Sequence, residues 1–206
     1  MVTNRALRGA DAMKARILRA VGEMIVRDGL SSVGINALAR QAGCDKVLIY
    51  RYFGDLDGVY SAYAAKGGFW WSLADLTGDI DPSRQSLAET LKTLFRRHGE
   101  TLRSRPVTLA VLAAELTERT PLVAALEGVR ERRTLELVEW IATNYPTPRK
   151  IDLAAITMVL GVAVNYLAVR ARALNVMSGI PIGDDAGWRR IYVAIDAVLD
   201  AVAEQP

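Results

Sequence analysis

"AGCDKVLIYRYFG", residues Ala42–Gly54, places the chain's single cysteine among a lysine, an arginine and three aromatic side chains. Apolar residues in and before this stretch recur in steps of three and four. Ile35, Leu38, Ala39 and Ala42 form one stripe that ends at Gly43, and Lys46 to Phe53 form a second that ends at Gly54. Two short helices joined by Ala42-Gly43-Cys44-Asp45 have the dimensions of a helix-turn-helix. Gly43 relieves the turn and Asp45 is suited to cap the second helix. In such a motif the second helix lies in the major groove of DNA with its N-terminal residues on base edges. Lys46 is then placed for guanine acceptors, and Val47 and Leu48 for thymine methyls. Tyr50 and Tyr52 carry hydroxyls suited to phosphate oxygens, Arg51 adds a charge for the backbone or a base edge, and Ile49 and Phe53 face inward.

Helical spacing continues on both sides, and no alternating stretch is long enough to predict a strand. The spacing predicts helices over Asp11 to about Asp28, from Leu56, along the face Leu87, Leu91, Leu94, Phe95, His98 and Leu102, and over Pro106 to Leu116. Three more follow: Pro121 to about Asn144, Ile151 to about Asn175, and Asp185 to about Glu204. The fold class is therefore all-α: a three-helix N-terminal domain carrying the helix-turn-helix, residues 1–54, and a larger helical domain, residues 55–206. Gly67-Gly68 marks a joint after the fourth helix.

Charge follows the same division. Residues 1–60 carry nine bases against six acids, while the remainder sums to zero within a chain of net charge +3. A basic end on a neutral body suits a phosphate-binding module attached to something else. The first residues, MVTNRALRGADAMKAR, lack the apolar core of a signal peptide, and one cysteine makes no intramolecular disulfide, so a cytoplasmic setting is expected. Leu153–Val169 is uncharged over 17 residues, a little short of the roughly 20 a spanning helix needs, and contains Thr157 and Asn165. It reads as a buried helix, with no membrane partner.

The stretch "GINALARQAGCDKVLIYRYFGDLDGV" resembles the signature of the TetR family of transcriptional regulators. Leu38, Ala39, Ala42, Gly43, Lys46, Ile49, Tyr50, Tyr52 and Phe53 match it, and the motif-level similarity covers about residues 10–63. The resemblance implies a regulator, in the first instance a repressor, that binds double-stranded operator DNA as a homodimer and responds to a small-molecule effector held in the helical body. Asn36, Lys46, Val47, Leu48, Tyr50, Arg51 and Tyr52 are the expected DNA-binding residues. Gly34 stands where the family usually has threonine and Leu56 where it usually has lysine, so two phosphate contacts are missing. Arg5 and Arg8, ahead of the first helix, are candidates to replace them.

Other residues read more plainly. Cys44 takes the place of a small apolar residue under the turn. His98 lies on an apolar stripe and is either a satisfied core histidine or a ligand contact. Trp70, Trp71, His98, Trp140 and Tyr166 are the candidate effector-pocket residues, and core packing explains the aromatics equally well. The charge run Val129–Arg133 pairs with neighbouring glutamates as a solvated face. No nucleophile elbow, phosphate-cradling glycine loop or metal-spaced set appears, so neither catalysis nor a cofactor is expected. Long apolar stripes on the last two helices, in a chain large enough to have its own core, point to a homodimer formed through them. A helical carrier of hydrophobic small molecules with a non-functional helix-turn-helix is the competing reading.

Overall fold

The periodicity resolves into helices throughout. The computed structural model describes residues 2–66, 68–146 and 152–203, with side chains between residues 9 and 202. Among the described residues there are ten α-helices and no strand. They are α1 (Val2–Asp28), α2 (Ile35–Ala42), α3 (Lys46–Phe53), α4 (Leu56–Ala65), α5 (Leu73–Thr77), α6 (Leu87–Arg103), α7 (Pro106–Glu115), α8 (Pro121–Asn144), α9 (Leu153–Arg170) and α10 (Asp185–Ala203). Capping fixes several starts. Asp45, Asp55 and Asp152 each accept a backbone N–H of the first turn, and Ser72 and Ser86 close reciprocal capping boxes with Asp75 and Glu89. Each such cap contributes about 1 kcal/mol.

Two compact units emerge. One takes the chain up to Trp70 together with Pro106–Arg130; the other takes Trp71–Arg105 and the chain from Glu131 onward. The first unit thus runs past residue 54 and is discontinuous in sequence. Its core is Ile17, Val21, Met24, Ile25, Leu30, Leu38, Ile49 and Val59, contributed by α1 to α4 and the short turn Leu30–Ser32. Each such side chain stabilises by about 1.5–3 kcal/mol relative to exposure. Helix α7 packs on α1 in the same unit, which accounts for its being apolar nearly all round. The Thr108 hydroxyl donates to the Phe69 carbonyl there.

In the second unit α6 is the hub, with α10, α9 and α5 packed against it. Leu91, Leu94, Phe95 and Leu102 of α6 meet a core that includes Trp188, Ile191, Tyr192, Ile195 and Leu199 of α10. Ion pairs edge the α6 and α10 seam: Lys92 with Asp200, Arg96 with Asp196, and Arg103 with Asp185. Tyr192 reaches the backbone of α6 at Gly99, where a Cβ would overlap its hydroxyl.

Three sequence expectations are corrected. Helix α1 begins at Val2 rather than near Asp11, because Ala6, Leu7, Arg8 and Ala10 favour helix. Helix α9 stops at Arg170, short of Asn175: the N–H groups of Arg172 and Ala173 turn back to the carbonyls of Val169 and Arg170, three residues before each, and the chain then bends at Ser178 and Gly179, both at positive φ, to close Met177 against Ile180. Nor is α9 a buried helix. Only 17% of it is buried, and Met158, Val159, Val162 and Tyr166 are exposed. It is the helix among the described residues with the length and hydropathy to cross a membrane. Its inner side, Leu153, Val164 and Ala168, is buried.

Candidate nucleic-acid interface

The helix-turn-helix has the predicted bounds, and its turn shows why. Gly43 sits at φ 59°, ψ 46°, a left-handed conformation costly for any residue with a Cβ, and its N–H caps α2 through the carbonyls of Ala39 and Arg40. Cys44 donates its backbone N–H to the Ala39 carbonyl at 3.0 Å; its thiol is free and half-buried, as a side chain packed under a turn should be. Asp45 then accepts from the Val47 N–H at 2.8 Å, starting α3 with a negative charge at its positive end. Gly54, at φ 84°, ends it.

With Ile49 fully buried, α3 has a fixed rotation about its own axis. Lys46, Val47, Tyr50 and Arg51 face outward, Val47 being 62% exposed. Leu48, Tyr52 and Phe53 are half-buried at the flanks, and Asn36 is exposed on α2. The expected DNA-facing set is therefore offered largely on one helix, with Leu48 and Tyr52 at its margins. Gly34 begins α2 without a side-chain cap, as its lack of a hydroxyl requires.

Supports for this motif come from elements the sequence did not connect to it. Arg16 of α1 donates from Nη2 to the Gly43 carbonyl at 2.9 Å, holding the turn. Lys14 Nζ lies 5.7 Å from the centre of the Tyr52 ring, and the Arg51 guanidinium lies 5.1 Å from the same centre. The Tyr60 hydroxyl of α4 donates to the Val33 carbonyl at 2.7 Å, tying α4 to the start of the motif. Gln41 bridges Glu23 and Arg27 of α1. Apart from Arg51 and its neighbour Tyr52, each of these contacts joins residues 14 to 38 positions apart, so nothing local in the sequence signals them. The side chains of Arg5 and Arg8, and residue Gly67, lie outside the described residues.

Residues 17–63 match the family model described as bacterial regulatory proteins of the tetR family. The chain carries a TetR-family DNA-binding domain. Solved TetR-like structures share the fold over 89–90% of the chain. A TetR-family transcriptional regulator from Haemophilus influenzae RD aligns with TM-score 0.61 and 17% identity, over 89% of this chain and 96% of that one. The fatty acid degradation regulator FadR of Bacillus halodurans gives 0.62 and 16%, over 90% and 96%. NalD, the secondary repressor of the MexAB-OprM multidrug efflux pump of Pseudomonas aeruginosa, gives 0.59 and 14%, over 89% and 96%. No curated protein matches the sequence. At these identities the likeness establishes the TetR-like fold, and the match over residues 17–63 establishes the DNA-binding domain within it.

The five aromatic and histidine residues considered for an effector are placed variously. Trp70 is buried in the first unit. In the second, Trp71 and His98 are brought together: the indole Nε1–H donates to His98 Nδ1 at 2.9 Å, and His98 Nε2 lies 2.9 Å from Asn165 Oδ1. Burial pushes the His98 imidazole down to about 4, against a smaller opposing effect of its bond to Asn165. Trp140 is half-buried and packs edge-on against Tyr145 at 6.2 Å between ring centres, whereas Tyr166 stands on the exposed face of α9. The charge run on α8 is not wholly solvated either. Arg130 turns inward to pair with the buried Glu115 at 3.0 Å, while Arg133 pairs with Glu136 along the helix. Among the described residues no three of His, Cys, Asp or Glu gather to hold a metal ion.

Proposed function

We propose that this TetR-family chain binds a near-palindromic operator in double-stranded DNA as a homodimer, and acts as a repressor that a small, largely apolar effector releases. The observation that carries the reading is α3 itself, capped by Asp45, anchored by Ile49, and presenting Lys46, Val47, Tyr50 and Arg51 outward. A helix so held meets base edges with its first residues and phosphates with its last. Asn36, Leu48 and Tyr52 complete the proposed contact set, and residues 1–54 are proposed as the DNA-binding domain.

Dimerisation is proposed through α9 and α10. Met158, Val162 and Tyr166 recur every four residues on α9, and Val193 and Val198 stand out from α10; all are exposed in the single chain. Apolar area of this kind, on helices whose other faces are already packed on α6, suits a second copy of the same surface. Pairing would bring two reading helices to half-sites about one helical turn or more apart.

The effector reading rests on the aromatic residues Trp71, Trp140 and Tyr166. His98 has both ring nitrogens engaged, so a ligand using it displaces Trp71 or Asn165. Gel-shift titration against the DNA flanking the chain's own gene tests the central claim. A sequence-selective, salt-sensitive complex supports it, and its absence favours a carrier. Quenching of tryptophan fluorescence by an apolar compound, at concentrations that also release the DNA, tests the effector.

A further inference from the structure

We propose that Lys14 of α1 joins Arg51 and Tyr52 of α3 in gripping a single backbone phosphate of bound DNA. The proposal rests on the DNA-binding reading above and adds to it a residue on another helix. Lys14 Nζ and the Arg51 guanidinium lie 5.7 and 5.1 Å from the centre of one tyrosine ring. Among the described residues neither cation has a carboxylate within ion-pair distance. Two unneutralised like charges repel, and the face of the half-buried Tyr52 ring offsets that by only about 1 kcal/mol per cation. A phosphate that both cations reach at the rim of the ring offsets the repulsion.

Tyr52 supplies the third element. Its hydroxyl oxygen accepts from Arg51 Nη2 at 3.2 Å, which leaves the hydroxyl hydrogen free to donate to a phosphate oxygen. Lys14 is half-buried rather than fully exposed, which restricts how far its ammonium can range.

Position selects a phosphate rather than a base. Tyr52 lies six residues beyond Lys46, roughly 9 Å along α3, at the end away from the base-reading first turn. A helix entering the groove by its N-terminus meets the backbone there. Gly34 and Leu56 lack the side chains that would reach phosphate from α2 and α4, and Lys14 restores one such contact from α1. Arg16, two residues on, differs in kind: its guanidinium is tied to the Gly43 carbonyl, so it positions the turn.

The test is fluorescence anisotropy of the full chain with a duplex from the region upstream of its own gene, and with a scrambled duplex, across a range of NaCl concentrations. Lys14→Gln removes one phosphate contact from each protomer of the proposed dimer, so the slope of log K against log[salt] should fall in magnitude by about 1.8, with the preference for the upstream duplex retained. Lys14→Arg should recover the wild-type slope. An unchanged slope in Lys14→Gln overturns the proposal, as does a loss of sequence preference at unchanged slope, which marks a structural prop. If the wild-type chain itself forms no salt-dependent complex with either duplex, it is the DNA-binding reading that fails.

Discussion

Trp71 donates its indole N–H to Nδ1 of His98 at 2.9 Å. An indole nitrogen can only donate, so Nδ1 must accept, and the imidazole proton resides on Nε2, directed to Asn165. The buried ring is therefore neutral, and protonating it would set two N–H groups against each other.

A pH dependence of stability follows. Folding lowers the His98 pKa to about 4, from about 6.5 in an unfolded chain. Between these values the unfolded state binds more protons, so stability is full above pH 6.5 and falls as the pH drops, by roughly 3 kcal/mol at pH 4. His98 is the chain's single histidine. The depressed carboxylates Asp75, Asp79, Glu89 and Asp185 lose their contributions at lower pH, and Glu115, raised by burial, titrates with the opposite sign. Urea denaturation at pH 7 and pH 5 should show a wild-type loss that His98→Gln lacks. Equal losses in both proteins would remove His98 as their cause.

Close packing at Gly99 gives a second expectation. A Cβ there meets the Tyr192 hydroxyl and comes within 3.2 Å of two ring carbons. Gly99→Ala should cost about 1–3 kcal/mol by overpacking the α6 and α10 seam. Removing the hydroxyl in Tyr192→Phe should return part of that cost. A double-mutant cycle by denaturant unfolding reads the coupling, and strict additivity would show that the two groups do not compete for the same space.

Much of the reading helix was legible in the sequence. Gly43, Asp45 and Gly54 are local signals, each acting on backbone within a few residues, so the bounds of α2 and α3 could be read directly. The apolar steps likewise gave α6, α7 and α8. What periodicity could not show was which apolar face stays uncovered. Leu153–Val169 is apolar nearly all round, and that pattern is the same whether neighbours cover the helix within the chain or leave it open, as they do at Met158 and Val162. Contacts between distant positions were equally silent: Lys14 with Tyr52, Arg16 with Gly43, and Trp71 with His98 depend on tertiary placement. The discontinuity of the first unit, with α7 packed on α1, has no sequence marker at all.

Val47 is 62% exposed at the second position of α3, where an apolar side chain recognises a thymine methyl. Val47→Ala removes that contact while keeping the cap from Asp45 to the backbone N–H of residue 47. Discrimination at one thymine position should weaken by about 1 kcal/mol, roughly fivefold, with the salt slope unchanged because no charge is altered. Competition binding over single-base variants of the operator measures this. A uniform loss across all variants would assign Val47 to the fold of the motif instead.

The exposed stripe of α9 yields the last expectation. Val162 is 60% exposed and lies one turn from both Met158 and Tyr166, so a charge placed there would be buried unpaired if two copies close over the stripe. Val162→Arg should convert the particle from twice the 22.5 kDa chain mass to the single chain, as read by light scattering on a sizing column. Leu116→Arg, at a side chain 74% exposed on the other unit, should leave the mass unchanged. Separated reading helices lose the advantage of two linked half-sites, so operator affinity should fall by roughly a hundredfold or more, while helix content stays the same by circular dichroism. A Val162→Arg chain that remains dimeric would place the interface away from α9.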